Sequence, residues 1–187
     1  MDPRPLGFSL LDLLITLAIA AALLGHALIY LPDWVSNHRA NTSLSVLRTA
    51  VNLARHAAAR NATTVTMCPR GDGRCGDRNT WHAGIMIFRD RNSDREVNGD
   101  DEVYAQLPGP EHGTISWRSF RNRSVLRFTA NGLTDWQNGH FQYCPDSNDP
   151  RWARRIVLNA AGRIYPSHDR DGDGIHEDRL GAPLACS

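Results

Sequence analysis

The C-terminal tail carries carboxylates at a spacing that is typical of calcium-binding loops. The five candidate ligands are Asp169, Asp171, Asp173, Glu177 and Asp178. The first three alternate with other residues, and Gly174 follows them where such a loop needs a sharp turn. Leu180 stands where an EF-hand places its bidentate acid, so the last two acids would have to complete a looser loop. A solvated acidic turn held by Cys186 is the alternative to a calcium site.

A second acidic run has a similar spacing but lacks the glycine. Asp90, Asn92 and Asp94 alternate with other residues, and Arg95 occupies the position that the sharp turn would require. The run lies between two stretches that are rich in β-forming residues. It therefore predicts a hairpin loop rather than a cation site.

Four cysteines lie downstream of the apolar N-terminal segment: Cys68, Cys75, Cys144 and Cys186. An even number suits two disulfides in an oxidising compartment. The short separation of the first two predicts a local pair, which would leave the other two to tie the tail to the body. The sequence alone permits three pairings. Zinc is the alternative, but no two of the cysteines have the close two-residue spacing that is typical of zinc ligands.

Basic residues are numerous, and all of them are arginine. The chain has 21 of them against 20 acidic residues, so only local patches are informative about nucleic acid or membrane surfaces. Two runs are candidates for phosphate contacts: Arg151, Arg154, Arg155 and Arg163 in one, and Arg118, Arg121, Arg123 and Arg127 in the other. On a single strand, Arg121, Arg123 and Arg127 would share one face. Ion pairs with the many nearby carboxylates are the alternative.

The chain offers little for catalysis. Its eight histidines are scattered, and it has neither a nucleophile elbow nor a glycine-rich phosphate loop between a strand and a helix. At 187 residues it has room for one modest folded domain beside the apolar segment, which argues against a multidomain enzyme. We therefore predict a structural or binding protein rather than an enzyme.

The apolar N-terminal segment, residues 8–31, is long enough to span a bilayer as a helix. A cleaved secretory signal is the competing hypothesis, with residues 13–24 as its apolar core. The preceding leader has one arginine and one aspartate, which make a poor positive region, and the apolar run continues past Ala27. Asp12 also argues against a discarded signal, because a carboxylate at mid-membrane costs about 2.5–3.5 kcal/mol and persists only with a partner.

Gly7, Phe8 and Asp12 form a pattern at the start of this segment. It resembles the type IV prepilins and pseudopilins, in which a leader ends in glycine and an acid is the fifth residue of the mature chain. The resemblance implies that a prepilin peptidase cuts after Gly7 on the cytoplasmic side and methylates the amine of Phe8. It also implies that Asp12 pairs with the first amine of a neighbouring subunit in a filament. The family usually has glutamate there, and aspartate is one methylene shorter.

The rest of the chain predicts an α+β fold, with one long helix packed on a β-rich head. Pro32 should kink or interrupt the helix, after which apolar residues recur at helical spacing to about Arg60. Beyond residue 61, short β-rich runs alternate with turn residues, which indicates antiparallel strands in one or two small sheets. We expect a leader (1–7), a transmembrane helix (8–31), its periplasmic continuation (32–61) and a head (62–187) with a disulfide-tied tail.

A series of motifs runs through the head in a specific order. They are Cys68-Pro69, Cys75, Trp81, Gly84, residues 85–88, residues 90–94, Phe128, Gly132, residues 155–158 and Gly162-Arg163. Together they resemble the minor-pilin family that includes FimT of type IV pili and GspH of type II secretion. The resemblance implies a single-pass inner-membrane subunit with its head in the periplasm or at a filament tip. It would prime or cap a pilus or pseudopilus together with other pilin subunits.

The same resemblance raises an alternative function, because some FimT-type pilins are receptors for double-stranded DNA in natural transformation. Those proteins use arginines near a C-terminal Gly-Arg-x-Arg motif, which Gly162 and Arg163 match in part. Tyr165 replaces the second arginine, although its ring could stack on a base. We expect no cofactor other than the calcium that the tail carboxylates could hold.

Overall fold

Helix α1 (Leu10–Arg60) opens the fold, and eight strands follow among the residues that the structure describes. The computed structural model describes residues 9–120 and 123–186, with the backbone alone for residues 26–29. The strands are β1 (Val65–Pro69), β2 (Ile85–Arg89), β3 (Val103–Leu107), β4 (Thr114–Ser119), β5 (Leu126–Phe128), β6 (Gly139–Cys144), β7 (Arg154–Leu158) and β8 (Ile164–Pro166). This order confirms the predicted α+β fold.

Helix α1 bends before Pro32 and is not interrupted by it. The proline lies inside a 51-residue helix, and Arg60 ends it as predicted. Proline cannot donate to the carbonyl four residues earlier, so the distortion falls on the preceding turn. No single described helix is long and apolar enough to cross a bilayer, whereas Leu10–Gly25 and Tyr30–Arg60 meet the length and composition criteria together as a bent pair.

Two compact units divide the chain, Met1–Asn37 and His38–Ser187. In the first unit, every large apolar side chain described from Leu10 to Trp34 is exposed. The second unit contains a complete hydrophobic core, to which the last third of α1 contributes Leu47, Val51 and Ala54. Small residues on this part of the helix allow close packing against the strands.

The second unit contains two antiparallel four-stranded sheets. Sheet 1 has the order β3-β2-β1-β5, and sheet 2 has the order β4-β6-β7-β8. Aromatic rings fill the space behind sheet 2, where Phe141 stacks on Trp117 at 4.3 Å between centroids and meets Trp81 edge-on at 4.8 Å. Alternate residues of β4 are buried and exposed, as expected for a sheet with one solvated face. The opposite face of sheet 2 carries polar side chains, among them His140, Gln142 and Arg155.

Candidate functional site

The described part of the N-terminal segment begins with a capped helix. Gly7 and Phe8 lie outside the described residues. Ser9 Oγ accepts from the N–H of Leu11 at 3.3 Å, and the N–H of Ser9 donates to Asp12 Oδ2 at 3.2 Å. This is the reciprocal pattern of a capping box, which the Ser-x-x-Asp spacing could have indicated from the sequence. Asp12 is exposed in the first helical turn, so its carboxylate is accessible to a partner as well as to the helix end.

Two disulfides hold the strands and the tail of the second unit. Cys68 at the end of β1 pairs with Cys75, and Cys144 at the end of β6 pairs with Cys186. The second bond fixes the tail, residues 167–186, at the end of sheet 2. Gln142 Nε2 adds a hydrogen bond of 2.7 Å to the carbonyl of Ala185. The tail is therefore anchored beside the polar face of sheet 2.

The acidic tail loop, residues 169–177, brings four carboxylates together. Ligand oxygen atoms of four residues all lie within 4.8 Å of one another: Asp169, Asp171, Asp173 and Glu177. Asp169 accepts backbone hydrogen bonds from Gly172 at 2.7 Å and Gly174 at 3.0 Å. Both glycines have a positive φ, which the sharp turn requires. Carboxylates held in this way offer the oxygen ligands that calcium prefers.

Asp178 takes a different place from the other tail carboxylates. Its Oδ1 accepts the backbone N–H groups of Leu180 at 2.8 Å and Ala182 at 3.0 Å. These two bonds lower the pKa of Asp178, with that of Ala182 contributing most. Its Oδ2 lies 3.9 Å from Arg155 Nη1. The fifth predicted ligand is thus engaged in closing the next turn and is not part of the four-carboxylate group.

Four of the predicted phosphate-binding arginines lie close to acidic side chains: Arg123, Arg127, Arg151 and Arg155. Arg151 donates to both carboxylate oxygens of Asp149, with the shortest distance 2.7 Å. Arg123 and Arg127 share Asp135, at 3.9 and 3.6 Å. Arg123 also lies before β5, so the expectation that one strand carries both arginines is wrong. Arg121 lies outside the described residues.

Arg154 and Arg155 point to opposite faces of β7. Arg154 is buried, and its Nη1 donates to the carbonyls of Arg151 and Ala153 at 2.8 and 2.9 Å. Arg155 lies on the polar face, where Nε donates to Gln142 Oε1 at 3.0 Å. Burial lowers the pKa of both guanidinium groups. Arg154 is therefore part of the buried structure. Because Arg155 points to the polar face, the arginines of the predicted cluster do not share one face.

Arg163 is the candidate arginine that is exposed at a turn. Its backbone N–H donates to Asn159 Oδ1 at 2.9 Å, which fixes the turn between β7 and β8. Tyr165 follows on β8, and the guanidinium of Arg179 lies 5.1 Å from the centroid of its ring. A base could stack on Tyr165 only on the ring face that Arg179 leaves accessible.

Sequence patterns did not identify Arg55, which fastens α1 to two turns. Its Nε donates to the carbonyl of Gly132 at 3.1 Å, and its Nη1 donates to that of Gly162 at 3.5 Å. Both glycines have a positive φ, and a Cβ at Gly162 would lie 3.1 Å from the Gly132 oxygen. The glycine of the Gly162-Arg163 motif is thus needed for packing. In the sequence, the two turn glycines were the signal that could have pointed to this contact. Neither of them indicates which residue of the helix is the partner.

His140 lies among basic groups on the polar face of sheet 2. It faces Arg118 across the β4–β6 ladder. Burial, followed by the positive charges of Arg155 and Arg118, lowers its pKa to about 4. The imidazole is therefore neutral at physiological pH and adds no positive charge to this face.

Part of the chain matches the model of a known family. A model of the family described as type II transport protein GspH matches residues 44–162. The matched range is more than half of the chain, and it runs from the last third of α1 to the turn after β7. No curated protein matches the sequence at a significant level.

Two crystal structures of the type IV minor pilin FimU from Pseudomonas aeruginosa resemble this fold. Their sequences are 19% identical to this chain, and each alignment covers 79% of it. The alignments cover 96% and 99% of the FimU chains, with TM-scores of 0.47 and 0.48. This likeness concerns the fold alone.

Proposed function

This chain belongs to the GspH family of type II transport proteins, and on that premise we propose that it is a minor pilin or pseudopilin. In this role it is a structural subunit, not an enzyme, and it helps to prime or cap a filament. Its partners are other pilin subunits, the inner membrane and a prepilin peptidase. The head, residues 62–187, stands in the periplasm or at the filament tip.

The observation that carries this proposal is the division of helix α1. Between Leu10 and Gly25 its large apolar side chains are exposed, whereas Leu47, Val51 and Ala54 are fully buried in the core of the second unit. Exposed apolar surface of this extent requires cover by lipid or by other apolar helices. While a pilin subunit is stored in the membrane, lipid covers this surface. After assembly into a filament, the apolar helices of neighbouring subunits cover it.

Asp12 supports the filament role through its accessible carboxylate. It accepts a hydrogen bond at the helix end and is exposed. In an apolar assembly, a carboxylate is stable only beside a positive group, and the new amine of a neighbouring subunit's Phe8 would provide one. Asp12 then selects the register in which two subunits meet.

Processing of the full chain tests the proposal. Co-expression with a prepilin peptidase is expected to give a membrane-extracted protein whose amino-terminal residue is Phe8, bearing one added methyl group. Amino-terminal sequencing and intact-mass spectrometry read this out. Gly7→Leu is expected to prevent cleavage, with Pro5→Leu as the matched control. A mature chain that starts near Leu28 would instead identify a secreted protein and contradict the proposal.

Capture of double-stranded DNA is a second candidate, favoured by the exposed position of Arg163 beside Tyr165. The binding surface is smaller than the sequence predicted, because Arg151, Arg123 and Arg155 have polar or acidic partners. The detergent-solubilised full chain is tested by gel shift with duplex DNA over a salt series. Binding should weaken steeply with salt and be lost in Arg163→Ala. Absence of binding at low salt would exclude DNA as a partner.

Calcium is the one candidate ligand of the acidic tail loop. The convergence of four carboxylates within 4.8 Å favours it, and the backbone hydrogen bonds to Asp169 keep that carboxylate oriented. Isothermal titration of the full chain with calcium in detergent should give one site per chain. If no heat of binding is measured at millimolar calcium, the loop is a solvated acidic turn and not a calcium site.

A further inference from the structure

Strand β4 is an edge strand of sheet 2, with β6 on one side. The N–H of Phe120 donates to the carbonyl of Asn138 at 2.8 Å, which fixes the phase of the ladder. In the same register, Arg118 and Ser116 form the hydrogen-bonded pairs with β6. Ile115 and Trp117 therefore direct their backbone N–H and C=O groups to the free edge. Within residues 9–120 and 123–186, no hydrogen bond to these four groups is present.

A groove of about 520 Å³ runs along this free edge. All six residues of β4 line it, and Arg78, Asn79 and His82 form the opposite wall. No carboxylate is among the described residues that line the groove, whereas Arg78 and Arg118 give it positive charge. The groove therefore combines unpaired backbone groups with a basic wall.

Trp117 also carries an unsatisfied polar group in its side chain. The residue is 2% exposed and is among those that line the groove, while its ring stacks on Phe141 in the core. The indole Nε1–H has no hydrogen-bond partner in the described structure. A buried donor without a partner costs free energy, and such groups are rare in folded proteins.

The other three edge strands are short or irregular, and β4 is neither. β3 carries a bulge opposite Ile87 and Phe88 and is followed by Pro108, while β5 and β8 have only three residues each. β4 pairs with β6 over six residues without a bulge and contains no proline. Proteins generally protect edges of this kind, because an open edge pairs with other strands.

We propose that β4 binds an extended acidic segment of a partner protein, which adds a strand to sheet 2. The backbone groups of Ile115 and Trp117 hydrogen-bond to the segment, and Arg78 and Arg118 pair with its acidic side chains. The charge of the groove selects an acidic segment over a neutral or basic one. This recognition is separate from helix packing in a filament, since it uses only the head.

Hydrogen exchange on the full chain in detergent micelles tests the proposal. The probe is the synthetic peptide acetyl-Val-Asp-Val-Glu-Val-Asp-amide at millimolar concentration. Exchange of the Ile115 and Trp117 amides should slow about tenfold, because bound amides exchange only when the added strand dissociates. A peptide of the same sequence with alternate amides N-methylated is the control, since it keeps the charges but cannot form the ladder.

Charge reversal separates the groove from the rest of the surface. Arg78→Glu and Arg118→Glu should each weaken the binding of the peptide about tenfold, which corresponds to the loss of one close charge pair. Arg91→Glu is the matched control, because it changes an exposed arginine outside the lining residues and should leave the affinity unchanged.

Three results would overturn the proposal. The first is unchanged exchange at Ile115 and Trp117 in millimolar peptide. The second is equal binding of the N-methylated peptide, which would reduce the effect to charge alone. The third is protection without peptide that increases with protein concentration, because this would assign the edge to a second copy of the chain.

Discussion

Two acidic runs of similar spacing fold into different arrangements. In the run at residues 90–94, Asp90 is buried, accepts from Thr66 Oγ1 at 2.6 Å and lies 3.7 Å from Arg127. Asp94 turns outward and accepts from its own loop, at 2.8 Å from the N–H of Glu96. In the acidic tail loop the carboxylates face one another within 4.8 Å. The first run uses its acids to anchor a hairpin, and the second leaves four acids in one group.

The difference shows that spacing predicts a cation site only together with the donors around it. Asn92 and Asn98 donate side-chain amides to Asp94 at 2.7 Å each, so hydrogen bonds within the first run stabilise the charge of its outer acid. The tail loop has glycines at its turns, and backbone N–H groups are its described donors to the aspartates. Arg95 does adopt the left-handed conformation, with a φ of 69°, but at a cost that glycine avoids.

The largest loss of stability is expected when the disulfide that holds the tail is removed. Replacing Cys144 and Cys186 by serine is expected to lower the free energy of unfolding by about 4 kcal/mol, since their bond closes a long loop. The same change at Cys68 and Cys75 should cost only about 2 kcal/mol, because a sequence separation of 7 rather than 42 closes a much shorter loop. Urea unfolding of the full chain in detergent measures both. Equal losses would show that the tail is not held through Cys186.

The second largest loss of stability is expected when the buried Asp90 is replaced. Asp90→Ala should destabilise the chain by about 3 kcal/mol, because Arg127 and Thr66 lose a partner in a buried place. Asp171→Ala, an exposed acid of the tail loop, is the control and should change stability by less than about 0.5 kcal/mol without calcium. The same urea titration applies. A neutral Asp90→Ala would mean that the hairpin is anchored by other contacts.

Calcium should act on only one of the two runs. At a concentration of about 30 times the dissociation constant, calcium would stabilise the chain by about 2 kcal/mol through the tail loop. Asp171→Asn should abolish the rise in melting temperature, whereas Asp94→Asn should retain it. Differential scanning fluorimetry with calcium or a chelator compares these proteins. Retention of the effect in both variants would point to nonspecific charge screening.

The smallest expected effect is the pH dependence of Asp94. The N–H of Glu96 contributes most to holding the pKa of Asp94 below its usual value of 3.8. A carboxyl with a lowered pKa in the folded state adds stability above its unfolded pKa and loses it as the pH falls through the folded value. Asp94→Asn should therefore be slightly less stable than the parent above about pH 4, and the difference should vanish in stronger acid. Parallel thermal scans from pH 7 to pH 2 would test this.

Local sequence patterns predicted the helix and most of the strands. They did not predict the partners of the charged side chains. Apolar spacing indicated the end of α1 at Arg60 and seven of the strand runs, but β8 has only three residues and no run of its own. The sequence left one or two sheets open, and the structure has two. Arg127 and Asp90 are 37 positions apart and meet because β2 and β5 both pair with β1. No periodicity of one segment can supply such a contact.

The same reason explains why some of the predicted site residues lie together in the structure and others do not. Asp169, Asp171 and Asp173 lie close in sequence and remain close in space, whereas Asp178 is drawn away by the N–H groups of the following turn. The arginine clusters were expected from sequence proximity. Their separation follows from strand alternation on β7 and from acids that arrive on other elements.

Arg55 gives helix α1 a mechanical connection to the head. One guanidinium holds the carbonyls of Gly132 and Gly162, which belong to the turns that follow β5 and β7. These strands belong to different sheets, so tension applied along the helix enters both sheets at one point. A load on the helix then acts on both of these hydrogen bonds, in addition to the apolar contacts of α1 with the core. Arg55 thus links one turn of each sheet to the same point of the helix.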